Sequence, residues 1–168
     1  MPPVSRRTAL AVMLAPLAMG GCLYGFAGGG LPRHIRTVAI MPFDNATPSV
    51  DLPRELAEAL REGMEKRLGL RPAPEARAHA IVRGKITQFE IDIPVAVSAD
   101  RQQATSARRR LAISVDVELI DQSSGATLWA KRGIMAEGEY AERAEAAGRK
   151  QAIERIVSDV IEGAQSQW

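Results

Sequence analysis

Between Leu111 and Leu119 the chain alternates without a break. Leu111, Ile113, Val115, Val117 and Leu119 are apolar, while Ala112, Ser114, Asp116 and Glu118 are small or charged. Successive side chains of a β-strand point to opposite faces, so a strict period of two specifies a half-buried strand and fits no helix. Such a strand needs a sheet with one covered and one open face, and the rest of the chain must supply neighbours and cover.

The neighbours are legible on either side. From Ala80 to Ile93 a second strand is predicted, with Ala80, Val82, Gly84 and Ile86 on one face before the apolar positions move to Phe89, Ile91 and Ile93. A change of parity inside a strand predicts a β-bulge, here at Thr87–Gln88. Thr127 to Met135 is expected to return as a further strand after a turn over Asp121–Gly125, and residues 95–108 are expected to be a long loop. Ile35 to Phe43, with its unbroken apolar run Val38–Met41, suits a strand shielded on both faces. Pro42 and the turn-forming pair Asp44–Asn45 stop it.

Two helices are predicted as the cover. Leu52, Leu56, Leu60, Met64 and Leu68 recur every four residues over Pro53–Leu68, with Asp51 as N-cap and Gly69 and Pro72 ending the helix. Ile153, Ile156, Val157, Val160 and Ile161 form a second stripe on a helix from about Ala141 to Gly163. The expected fold is therefore α+β, a two-layer sandwich of a four-stranded mixed sheet with two helices packed on one face. Pairing the strands by charge sets Lys85 opposite Asp116 and Arg83 opposite Glu118, with Lys131 reaching Asp116 from the other side.

The first 21 residues read differently from the domain. Arg6 and Arg7 precede an apolar stretch from Ala9 to Met19, and Gly20-Gly21-Cys22 follows. A basic start, a short apolar run and small residues before a cut mark a secretory signal. A membrane-spanning helix would need about 20 apolar residues. A cysteine directly after small residues is the bacterial lipobox pattern, although Met19 stands where Leu is usual. The expected layout is a signal peptide over 1–21, a lipidated Cys22 with a glycine-rich tether over 22–33, and the folded domain over 34–168. Diacylglycerol and acyl chains on Cys22 would anchor the protein, since each buried CH₂ contributes about 0.8 kcal/mol and several chains together hold stably. Leu23 stands where inner-membrane lipoproteins commonly carry Asp, which favours the outer membrane. Ser5-Arg6-Arg7 leaves the export route open between the general and twin-arginine pathways.

Charge then removes one class of function. The full chain carries 22 basic and 20 acidic side chains, but Arg6 and Arg7 fall in the segment expected to be cut away. The remainder balances at 20 against 20, which argues against a nucleic-acid binder. Nor does the sequence contain the glycine-flanked serine, phosphate-cradling loop or paired metal-binding histidines of common enzyme classes. His34 and His79 read as surface residues, and the one cysteine excludes multi-cysteine metal sites. The carboxylates Asp116 and Glu118, like Glu90 and Asp92, sit two apart as a solvated strand face would place them. No catalytic residue, metal or dissociable cofactor is expected.

The basic residues are the remaining candidates. Arg101 and the triplet Arg108-Arg109-Arg110 flank the connection between the second and third strands, and Lys131-Arg132 follow on the next strand. Arginine's planar fork suits phosphate, so a cluster of this kind could hold an anionic lipid head group. A charged loop that keeps strand ends soluble is the competing account.

The order of motifs resembles one family. After the lipobox cysteine come Leu31-Pro32, Ile35-Arg36-Thr37-Val38-Ala39-Ile40 and Pro42-Phe43-Asp44-Asn45-Ala46-Thr47. Later come His79-Ala80-Ile81-Val82-Arg83-Gly84-Lys85-Ile86-Thr87, Asp121 with Gly125, Leu128-Trp129 and Glu139-Tyr140. Over essentially the whole chain beyond Cys22 this resembles the lipopolysaccharide-assembly lipoprotein family LptE. The resemblance implies a two-helix, four-stranded sandwich in the outer membrane. It also implies an obligate partner, the barrel LptD, which the lipoprotein plugs and helps to assemble while lipopolysaccharide passes to the outer leaflet. It further implies lipopolysaccharide-binding cations at Arg101 and Arg143, while the arginine triplet is this chain's own feature. The alternative is a periplasm-facing adaptor or activator of the LpoB or CsgG type, whose members share a similar first strand.

Overall fold

The structure, a computed structural model, describes residues 30–94, 108–141 and 143–166. The elements run β1 (Thr37–Ile40), β2 (Asp44–Asn45), α1 (Leu52–Leu68), β3 (Arg71–Pro72), a 3₁₀ turn (Glu75–Arg77), β4 (Ala80–Pro94), β5 (Arg108–Asp121), β6 (Thr127–Ala141) and α2 (Glu145–Ser166). The expected α+β class, mixed sheet and helical pair are present. The sheet, however, has six strands and not four, in the order β3-β1-β4-β5-β6 with β2 also on β4. The two additional strands are two residues each, Asp44–Asn45 and Arg71–Pro72, and both pair in parallel. Runs that short carry no periodicity, so only the tertiary pairing creates them.

β1 lies between β3 and β4, parallel to both, and also contacts α1 and the 3₁₀ turn; Val38 and Ala39, on opposite faces, are both buried. It is shorter than Ile35–Phe43 because Pro42 has no amide to donate, and the ladder ends with Met41 N donating to Val82 O. Asn45 joins β2 and also forms the expected local turn, its Oδ1 accepting from Thr47 N at 3.0 Å.

β4, β5 and β6 form an antiparallel meander that carries most of the sheet. Lys85 faces Asp116 and Arg83 faces Glu118 as charge pairing required, and the register shifts between Ile86 and Gln88, where the bulge was expected. The β5–β6 register differs from expectation by one residue. Lys131 faces Val117, and so lies on the helix side, where it meets Asp159 of α2 at 3.9 Å. Asp116 instead accepts from the backbone N of Gly133 at 2.8 Å. Gly133 adopts φ +63 in the irregularity that follows Lys131, and this backbone turn takes up the extra residue.

β6 also runs six residues past Met135, and α2 starts at Glu145, not near Ala141. Arg108, Arg109 and Arg110 belong to β5, opposite Ala141, Tyr140 and Glu139. The alanine-rich stretch after Tyr140 has helical composition, but cross-strand pairing overrides propensity until the chain leaves the sheet.

Leu52, Leu56, Leu60 and Met64 of α1 and Ile156, Val160 and Ile161 of α2 join the odd-numbered face of β5 in one core. Asp51 makes no side-chain cap, although Pro53 sits in the first turn and Gly69 closes the helix in the left-handed conformation. α2 runs antiparallel to β6, seated closely at both ends: a Cβ on Gly138 would overlap the carbonyl of Gly148, and one on Gly163 would lie 2.5 Å from the Trp129 indole. Between the helices, Arg149 forks onto Glu55 at 2.8 and 3.1 Å and reaches Glu145 at 3.0 Å.

Candidate functional site

Because both helices lie on one face, the other face of β4, β5 and β6 is left open among the described residues. Its even-numbered β5 positions and their neighbours form a shallow cleft of about 810 Å³. Ile81, Ile120 and Ala130 give it an apolar floor, while Arg83, Lys85, Arg132, Asp44, Asp116 and Glu118 supply charge. Arg83 is ion-paired to Glu118 across the β4–β5 ladder. The cleft thus mixes both signs on an apolar base, a surface suited to contact and not to selecting one ionic species.

At the rim stands a polar cluster centred on Asp121, which is 5% exposed. Its Oδ1 accepts from Ser123 N at 2.8 Å and Ser123 Oγ at 2.7 Å, and its Oδ2 from Ser124 Oγ at 2.9 Å. His34 Nε2 lies 2.9 Å from the same Oδ2. The Ser123 hydroxyl, then its amide, His34 and Ser124, hold the carboxyl well below the usual carboxylate range against the opposing effect of burial. The sequence shows the turn but gives no sign that His34 docks on it, because the two lie 87 residues apart. His79 is also engaged: its Nδ1 accepts from Arg36 N at 3.2 Å. The hydroxyls bond the carboxylate and not a histidine, so the cluster organises a turn and presents no activated nucleophile.

The basic candidates fall into two groups. Arg108, Arg109 and Arg110 begin β5 at the end of the sheet where β4 ends at Pro94, and Arg143 lies just beyond β6 at that same end. Lys131 faces Val117, seven residues from Arg110 along β5, roughly 23 Å away at strand rise. Arg132 lines the open cleft. Arg110 lies on the open face and contacts Glu137 at 3.1 Å and Glu139 at 3.7 Å. Arg109 faces Tyr140, on the side of the sheet that the helices cover. Arg101 and Cys22 lie outside the described residues.

Arg143 has φ +68, the one non-glycine residue with positive φ among those described. Such a conformation costs a non-glycine residue on the order of 1 kcal/mol or more, and strain of this kind concentrates at functional positions. The turn is held by Ala144 N donating to Ala141 O at 2.9 Å. Among the described residues no group of three or more His, Cys, Asp or Glu is placed to hold a metal, and no helix is long and apolar enough to cross a membrane.

The family model described as LptE, lipopolysaccharide-assembly, matches residues 35–162. No curated protein matches the chain. Among solved structures, the PelC dodecamer from Paraburkholderia phytofirmans is similar, with 16% identity and a TM-score of 0.53 over 83% of this chain and 94% of that one. Protein XCC0632 from Xanthomonas campestris is 11% identical with a TM-score of 0.54, over 78% of this chain and 84% of that one. At such identities the likeness is one of fold. The family match, by contrast, begins just before β1, spans every strand and ends within α2. The chain belongs to the LptE family of lipopolysaccharide-assembly proteins.

Proposed function

We propose that this protein is a lipid-anchored outer-membrane lipoprotein that partners an LptD-like β-barrel and lodges in it as a plug. In that position it supports barrel assembly and the passage of lipopolysaccharide to the outer leaflet. Acyl chains on Cys22 supply the anchor, and residues 23–33 the reach to the domain. The observation that carries this reading is the family match over residues 35–162. The function asks for rigid contact surfaces and a few cations near lipid phosphates, and for no bond-breaking chemistry.

Within this proposal the end of the sheet bearing Arg108, Arg109 and Arg143 is the lipopolysaccharide-facing end, together with Arg101. Lys131 and Arg132 act separately from it, because about 23 Å of strand divides them. Arg110 tethers Glu137 and Glu139 and so contributes mainly to the strand pairing beneath that end.

The test is depletion. Loss of the protein should leave lipopolysaccharide inaccessible at the cell surface, and affinity capture of the anchored protein should recover an outer-membrane barrel. Normal surface lipopolysaccharide in depleted cells would refute the proposal. Capture of a murein synthase or secretion pore in place of a barrel would instead favour the adaptor class. Cys22→Ala should move the protein from the membrane fraction to the soluble one.

A further inference from the structure

β6 is a fifteen-residue strand at the edge of the sheet, whereas the opposite edge, β3, has only two residues. A long edge presents backbone donors and acceptors to any other strand that can approach it. Here two of those groups are occupied from an unexpected direction. Glu139 N donates to Gln151 Oε1 at 2.9 Å, and Arg155 donates to Glu137 O at 2.7 Å. Both side chains come from α2, and Asp159, one turn further on, reaches Lys131 of the same strand.

The spacing makes this a stripe. Residues 151, 155 and 159 stand four apart on one face of α2, a step of about 6 Å, while two residues of strand span about 6.7 Å. With α2 antiparallel to β6, Gln151 and Arg155, one turn apart, therefore meet Glu139 and Glu137, two residues apart on the strand.

The charges along β6 indicate what the stripe holds off. On the open face Arg132 stands near one end, and Glu137 and Glu139 near the other, with Met135 between them and 63% exposed. An antiparallel pairing of β6 with β6 of a second copy, centred near Met135, would bring the acidic end of each strand to the basic end of its partner. Opposite charges across strands favour pairing. The bare edge is thus complementary to itself.

We propose that Gln151 and Arg155 guard the β6 edge, so that a second copy cannot extend the sheet through β6 unless both side chains are displaced. The guard keeps an otherwise self-complementary strand from joining copies into a continuous sheet.

The experiment uses the mature, acylated chain in detergent, followed by sedimentation over a wide concentration range and by amide exchange. Wild type should remain monomeric, with Glu139 N–H protected. The double variant Q151A/R155A should exchange that amide roughly fivefold faster when dilute, as expected for loss of one hydrogen bond. On concentration it should double in mass and regain protection over residues 135–139. Q151E/R155K, which keeps an acceptor and a donor, should stay monomeric. Equal masses for wild type and Q151A/R155A at every concentration would overturn the proposal, as would a wild-type dimer protected at β6. If the double variant fails to melt cooperatively, R155A alone and the wild-type exchange rate decide: an unprotected Glu139 amide in wild type overturns the guard.

Discussion

Gly138→Ala should be among the most damaging single-methyl additions in this domain. The new Cβ would overlap the carbonyl oxygen of Gly148 and lie 3.0 Å from its Cα. These are backbone atoms of a packed helix, so no side chain can rotate away and α2 itself must move off β6. Moving its first turns outward by 0.5–1 Å forfeits about a quarter to a half of the dispersion energy of the contacts there. The residues affected include Ala152 and Ile153, both buried. Overpacking typically costs about 1–3 kcal/mol, and an unyielding backbone places this site at the upper end, about 3 kcal/mol. For a domain this size each kcal/mol lowers Tm by roughly 3–4 °C, so a loss of about 10 °C is expected. Thermal unfolding followed by circular dichroism measures it. Gly125→Ala is the control: nothing lies within 4 Å of its Cβ, and the left-handed φ of +70 alone should cost on the order of 1 kcal/mol. A Tm for Gly138→Ala within about 2 °C of wild type would refute the close-seated helix.

Three further outcomes are expected. Arg143→Gly relaxes a positive φ and should raise stability by on the order of 1 kcal/mol, while weakening lipopolysaccharide binding by the purified protein; equal losses of stability for Arg143→Gly and Arg143→Ala would contradict the strain. Asp121, whose folded pKa is depressed, contributes stability that is complete above the ordinary carboxylate pKa of about 3.9 and is lost as pH falls below it. The gap in Tm between wild type and Asp121→Asn should therefore be constant above about pH 5 and close on acidification, and a gap unchanged at pH 3 would exclude this role. Arg149→Met removes the fork onto Glu55, of which 29% remains exposed and able to hydrate, so a loss of about 1–2 kcal/mol is expected in urea unfolding.

How much was legible in the sequence varied with the length of each signal. The alternation from Leu111 to Leu119, the four-residue stripe of α1 and the parity change at Thr87–Gln88 each repeat over several residues. They specified the covered face and the bulge, and even the Lys85–Asp116 and Arg83–Glu118 register. Where one glycine decided the pairing, the reading slipped by a residue: Gly133 takes up an extra position, and Lys131 turns from Asp116 toward Asp159. Of the candidate site, the sequence supplied the residue types but not their grouping.

The sequence by itself determined the α+β class, the one-sided sheet and the balance of charge over residues 22–168, because these follow from periodicity and composition. Only the tertiary structure decided which cations share an end, that His34 docks on Asp121, and that α2 lies close enough for Gln151 and Arg155 to reach the β6 backbone. Those contacts join residues up to 87 positions apart or depend on backbones touching, and neither leaves a local pattern in the chain.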